Sequence, residues 1–180
     1  APSVEEWVSL IGTPLEGMIR RWGEDEADVA LLRERYKEHQ WAHHDEMVRA
    51  FPGVPEALDA LSGQGVRLAV VTSKLEGSAR RSLEFVGLAR HFELVVGLES
   101  TARHKPDPEP VRFALSFLGA AAGESAFVGD SPHDVAAGNA AGVATVATLW
   151  GPCARRELEV ARPRAWAARP DELVPVLASL

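Results

Sequence analysis

The sequence predicts an α/β protein, a doubly wound parallel sheet with helices on both faces, preceded by a small helical bundle. Three observations carry this reading. The first fifty residues repeat apolar side chains at helical spacing with no strand signal between them. At Phe51-Pro52-Gly53-Val54-Pro55 two prolines and a glycine halt that pattern. Beyond them, short β-rich apolar runs alternate with amphipathic stretches, the order that builds a parallel sheet buried on both sides. We therefore expect two units, residues 1–50 helical and residues 51–180 α/β.

Taken in order, Val4, Val8 and Ile11 form a first helical stripe, and Leu15, Met18, Ile19 and Trp22 a second. Between them Thr13-Pro14-Leu15-Glu16 reads as a helix restart, with Thr13 as cap, Pro14 at the first helical position and Glu16 at the third. A third helix carries Val29, Leu32, Tyr36, His39 and His43 on one side. The expected strands are Val66 to Val71, Phe92 to Val96, Ala126 to Val128 and Val143 to Ala147. Helical patterns at Val54, Leu58 and Leu61, at Leu83 and Val86, at Val111 to Leu118 and at Ala136 to Ala141 fill the gaps. In the last thirty residues Pro152, Pro163 and Pro170 interrupt the pattern, and only Leu173 to Leu180 reads as a helix.

Composition bounds the function. Of 180 residues 46% are hydrophobic and 25% charged, enough to bury a core. A net charge of -7 argues against general attraction to nucleic acid or anionic lipid. The single cysteine, Cys153, excludes an internal disulfide. No apolar run approaches the roughly 20 residues of a membrane span, and Ala1-Pro2-Ser3-Val4-Glu5-Glu6 has no signal-peptide character. The cytoplasm is the default location and a monomer the default state.

In open parallel sheets ligands bind beyond the carboxyl ends of the strands, so the residues just after each apolar run are the informative ones. Thr72-Ser73-Lys74 follows the first run and offers a hydroxyl and amides to an anion, although a turn or helix cap explains it equally well. Lys105 stands on the stiff stretch Lys105-Pro106-Asp107-Pro108-Glu109-Pro110, a point charge suited to phosphate or simply solvated. The third run leads into Gly129-Asp130-Ser131-Pro132-His133-Asp134, where Asp130, with Asp134 behind it, fits Mg²⁺, which uses one or two carboxylates with water and phosphate. Asp134 also suits a helix N-terminus, with Ser131 as cap and Pro132 as first residue; both readings can hold together.

In this order, each at a strand end, these residues resemble the haloacid dehalogenase superfamily of phosphatases. Thr72 stands at the second family motif, Lys105 at the third and Gly129 to Asp134 at the fourth. The resemblance implies a Rossmann-like core and, before Pro52, a helical cap of the phosphoglycolate phosphatase and β-phosphoglucomutase-like subgroup. Ile11-Gly12-Thr13-Pro14-Leu15 and Tyr36-Lys37-Glu38-His39 with His44-Asp45 resemble the pyrophosphatase branch. It further implies a Mg²⁺-dependent phosphohydrolase with an aspartyl-phosphate intermediate, acting on pyrophosphate or phosphoglycolate. Thr72, Ser73, Lys74 and Lys105 would hold phosphate, Thr72 and Lys105 acting in catalysis, while Asp130 and Asp134 would form the metal site. Lys37, His39 and His44 are candidates to touch a second phosphate. His39 and His43, four apart, could bind a metal, but a polar helix face is the plainer reading and zinc is not expected.

The family's nucleophilic aspartate and its acid/base partner, at the end of a first core strand, have no counterpart here. Asp25 and Asp28 lie in a polar run with no strand before them. The expectations are that the helical unit is incomplete at its start, that the 180 residues are part of a longer protein, and that alone they are inactive. Loss of a central strand would leave two backbone edges exposed. The alternatives are a non-catalytic phosphate-binding module or a sugar-phosphate mutase of the same fold.

Overall fold

A computed structural model describes residue 3, residues 6–7, residue 10 and residues 12–180. The helical stripe Val4, Val8 and Ile11 lies outside the described residues. Helix α1 (Leu15–Ile19) begins one residue later than expected, with Pro14 in the capping position and no side-chain cap. Thr13 lies one residue before that position, and its hydroxyl donates to the Leu10 carbonyl at 2.6 Å. Helix α2 (Glu26–Met47) starts at Asp25, whose carboxylate accepts the Asp28 amide at 2.8 Å, and Glu26 and Asp28 add negative charge where the free amides point. Trp7 packs against Trp22 and Tyr36, with ring centroids 4.8 and 6.1 Å apart.

Helix α2 buries only Val29 and His44, whereas Leu31, Trp41 and Met47 are each more than half exposed. The expected bundle is thus, among the described residues, a pair of helices with Ile19 of α1 buried.

After Gly53 the remaining elements alternate strictly. They are α3 (Val54–Gly63), β1 (Ala69–Val71), α4 (Glu76–Phe85), β2 (Leu94–Val96), α5 (Glu109–Leu118), β3 (Ala126–Gly129), α6 (Pro132–Ala141), β4 (Ala144–Thr148), α7 (Arg155–Glu159), β5 (Ala165–Ala167) and α8 (Leu173–Ala178). All four expected strands form. The first is shorter than its apolar run, because the Val66 amide closes the end of α3 on the Leu61 carbonyl. Two elements had no clear sequence signal, the short α7 and the strand β5, whose Ala-Trp-Ala lacks β-branched residues.

Every strand pair is parallel, but the strands form two sheets, β1-β2 and β3-β4-β5. Among the described residues β1 pairs only with β2, and β3 only with β4. Each of these two strands therefore presents one unpaired edge.

Strand β4 shows how the three-stranded sheet is covered. Val146, fully buried, packs with Ala57 of α3, Ala167 of β5 and Leu173 of α8. The next residue, Ala147, points the other way to Val135 of α6 and Leu158 of α7. Successive side chains on opposite faces meet helices on both sides, which is the doubly wound arrangement. A third cluster, Val111, Ala137 and Val143, joins α5 to α6 beside it. Leu158 has no exposed surface, so Leu158→Ala is expected to cost about 2 to 5 kcal/mol in urea unfolding; an unchanged midpoint would contradict this packing.

Candidate active site

Lys105 lies on the loop between β2 and α5, and its ammonium is directed inward. Nζ donates to Asp134 Oδ1 at 2.7 Å and to the Val71 carbonyl at 3.2 Å. Both side chains of the ion pair are nearly enclosed, at 8% and 10% exposure, so neither is exchanging freely with water. Val71 ends β1 and Asp134 follows β3; one ammonium therefore joins the carboxyl ends of the two sheets. The Phe127 ring lies 5.9 Å away on β3.

Asp134 is fixed as firmly on its other side. The chain turns from β3 into α6 through Asp130 and Ser131, with Pro132 opening the helix. The Ser131 hydroxyl accepts the Asp134 amide at 3.2 Å, and Asp134 Oδ2 accepts the Ser131 amide at 3.1 Å and its hydroxyl at 2.7 Å. This reciprocal cap satisfies helix amides that would otherwise be orphaned. Both oxygens of Asp134 are thereby engaged. Gly129 is required behind it, since a Cβ there would lie 2.3 Å from the Asp134 Cβ.

Asp130 stands differently. No other side chain hydrogen-bonds to its carboxylate among the described residues. Burial, and next the charge of Asp134, push its pKa above the ordinary carboxylate value, against smaller opposing effects of its own amide and of Lys105. A Cβ at Gly151 would come within 2.4 Å of Asp130 Oδ2, so the neighbouring loop approaches by main chain alone. The Cys153 thiol is pushed up to about 11 by burial and by nearby acids, Asp130 foremost, which disfavours its thiolate near neutral pH.

Thr72, Ser73, Gly97, Thr101, His104 and Lys105 line one cleft, which brings the loops after β1 and β2 together. Thr72 Oγ1 accepts the Lys74 amide at 3.2 Å, leaving its O–H to donate elsewhere. Ser73 contributes less than the sequence implied, because its hydroxyl donates to the Gly12 carbonyl at 2.7 Å and only its amide remains. Gly12 has φ +95°, and a Cβ there would lie 2.8 Å from Ser131 Oγ. Its main chain thus passes between the ends of the two sheets, where only glycine fits.

The three candidates on α2 diverge. Lys37 pairs with Glu34 at 3.1 Å, and the His39 ring lies tilted against that of His43 with centroids 4.5 Å apart. Neither lines the Thr72 cleft. His44 is buried, with Nδ1 2.7 Å from Asp45 Oδ1 and Nε2 3.0 Å from Ser82 Oγ on α4, its ring edge-on to Phe85. It pins α2 to α4. It also lines a second crevice, together with Gln40, Trp41, Lys74, Ser78 and Arg81, of which His44 and Lys74 were legible as site residues. Arg81 looks in sequence like any surface cation of a helix. Among the described residues no cluster of three or more His, Cys, Asp or Glu could hold a metal, so a cation here would rest on Asp130, water and ligand oxygens.

The chain is similar to known proteins over most of its length. A family model described as haloacid dehalogenase-like hydrolase matches residues 1–148. Pyrophosphatase PpaX of Halalkalibacterium halodurans is 38% identical over 138 residues, 77% of this chain and 63% of that protein. Pyrophosphatase PpaX of Bacillus velezensis is 38% identical over 146 residues, 81% of this chain and 67% of that protein. The chain thus spans about two-thirds of the length of these curated relatives. Among solved structures, a protein described as a predicted phosphoglycolate phosphatase from Haemophilus somnus superposes with a TM-score of 0.87 at 24% identity, over 96% of this chain and 82% of that one. A hydrolase from Pseudomonas syringae gives 0.86 at 21% identity, over 100% and 84%. At these identities the structures speak for the fold.

The ion pair can be tested through folding. Lys105→Met leaves Asp134 buried without a counter-charge and is expected to cost about 3 to 5 kcal/mol in urea unfolding. Adding Asp134→Asn should then restore part of that loss, whereas strictly additive costs would show that the two side chains do not depend on each other.

Proposed function

The chain belongs to the haloacid dehalogenase-like hydrolase family, and from that premise we propose that it is the phosphate-handling part of a divalent-cation-dependent phosphohydrolase acting on inorganic pyrophosphate. The observation that carries this reading is the single ammonium of Lys105, which lines the Thr72 cleft and at the same time pairs with Asp134 beside Asp130. Phosphate bound in that cleft meets a hydroxyl, an amide and a buried positive charge. The relatives named pyrophosphatase support the choice of substrate, with phosphoglycolate as the second candidate.

In this reading the Thr72 hydroxyl and the Ser73 amide orient the phosphoryl oxygens. Lys105, held by Asp134 and the Val71 carbonyl, offsets their charge without having to reorganise during reaction. Asp134 is then a positioning residue for Lys105 more than a cation ligand. A divalent cation fits Asp130, a half-buried carboxylate that no cationic side chain pairs with among the described residues and whose pKa is raised. When bound, Mg²⁺ would supply neutralisation of the phosphoryl charge on that side. The acceptor of the phosphoryl group in the proposed reaction is an aspartate after a first core strand, and among the described strands only β3 is followed directly by an aspartate, Asp130. These residues by themselves are therefore expected to bind phosphate and not to turn it over.

In full-length protein with Mg²⁺, pyrophosphate should be hydrolysed faster than phosphoglycolate; the reverse order would reassign the substrate, and inactivity on both would overturn the reading. Asp130 supplies a second test. Because its folded-state pKa is raised, the cation-free protein binds this proton more tightly than the unfolded chain does. Its ionisation therefore removes stability as pH rises through the folded value, and stability returns on acidification. Asp130→Asn should accordingly melt higher than wild type near pH 7 without cation, yet lose the cation-induced stabilisation, which in wild type reaches about 2.7 kcal/mol at a hundredfold excess over Kd. A variant that melts lower without cation, or that still responds to Mg²⁺, would remove Asp130 from the cation site.

A further inference from the structure

The crevice between α2 and α4 has chemistry that the phosphate cleft does not use. Lys74 lies at its edge, two residues beyond Thr72, and is exposed with no ion-pair partner among the described residues. Arg81 forms the wall. Its guanidinium lies 3.9 Å over the Trp41 ring, and one nitrogen, Nη2, reaches Asp45 Oδ1 at 3.3 Å. The other, Nη1, is shut off from solvent and has no hydrogen-bond partner among the described residues. A guanidinium nitrogen in that state is costly, and its natural complement is an anionic oxygen. Arg81 shares its one carboxylate, Asp45, with His44, and Lys74 has none among the described residues. Lys74 and Arg81 together therefore leave the crevice short of negative charge.

We infer that this crevice is the subsite for an anionic leaving group, and that Arg81, with Lys74, reads the second phosphoryl of the substrate. The inference deepens the proposed function and rests on it: the first phosphoryl occupies the Thr72 cleft, and Lys74, whose amide holds the Thr72 hydroxyl, connects that cleft to the crevice. Trp41 keeps the guanidinium flat and so aims its edge. Gln40 and Ser78 supply further polar lining. This places recognition on Arg81 of α4 and Lys74, and gives His44 the task of setting the spacing of α2 from α4 through Ser82.

The same anion chemistry could come from a phosphoryl or from a carboxylate, so the test uses ligands that cannot be hydrolysed. Full-length protein is titrated calorimetrically in Mg²⁺ with orthophosphate, methylenediphosphonate and phosphonoacetate. Wild type should bind methylenediphosphonate more tightly than orthophosphate. Arg81→Ala should weaken methylenediphosphonate about tenfold or more while leaving orthophosphate within about twofold, as expected for loss of one charge-assisted contact. Lys74→Ala, at an exposed position where folding is not at stake, should act in the same direction. A larger loss for phosphonoacetate than for methylenediphosphonate would overturn the phosphoryl assignment in favour of a carboxylate. Equal losses for orthophosphate and methylenediphosphonate, or no loss in either variant, would overturn the subsite while leaving the phosphate cleft intact. Failure of wild type to bind orthophosphate would instead bring down the proposed function, and the subsite with it.

Discussion

The Lys105 ammonium, held between the Val71 carbonyl and the Asp134 carboxylate, is the constraint on which the arrangement of this protein turns. The strands fall into two sheets with no hydrogen bonds between β1 and β3, so the relative position of their carboxyl ends is set by what bridges them. Two bridges are visible. One is the buried ion pair. The other is the main chain at Gly12, which takes a hydrogen bond from Ser73 after β1 and lies against Ser131 after β3. Desolvating an ammonium and a carboxylate is expensive unless geometry and further hydrogen bonds offset it, and here Ser131 and Val71 supply those bonds.

How much of this was legible in the sequence depended on whether a residue's role is local. The cap of α6 was readable in full, because Ser131, Pro132 and Asp134 act within one turn. The four strands were readable because β-branched runs ended at glycine, serine or threonine. Strand β5 was not, since Ala165 and Ala167 are small for a long-range reason, namely the close approach of β4 and α8. The start of α1 was misread by one residue, since Pro14 takes the capping position expected of Thr13.

The candidate site divides in the same way. Thr72, Lys105 and Asp130 could be named because strand ends in parallel sheets are privileged positions. Lys37, His39 and His44 were named through the resemblance to the pyrophosphatase branch, and a local motif says nothing of which neighbour each side chain will meet. His44 meets Ser82, 38 residues on, and turns out to join two helices. Arg81 could not have been found, since its distinction is a buried nitrogen and an aromatic platform that only the packing of α2 on α4 creates.

The reciprocal cap at Ser131 and Asp134 also bears on how relatives of this chain should be read. One carboxylate both nucleates a helix and holds the ammonium that would meet phosphate. A descendant that abandoned chemistry altogether would still be under pressure to keep Asp134, Ser131 and Lys105, simply to fold. Their presence in a homologous sequence is therefore a marker of architecture. Thr72 and Asp130, whose hydroxyl hydrogen and carboxylate have no partner side chain among the described residues, are the positions where drift would register a change of occupation.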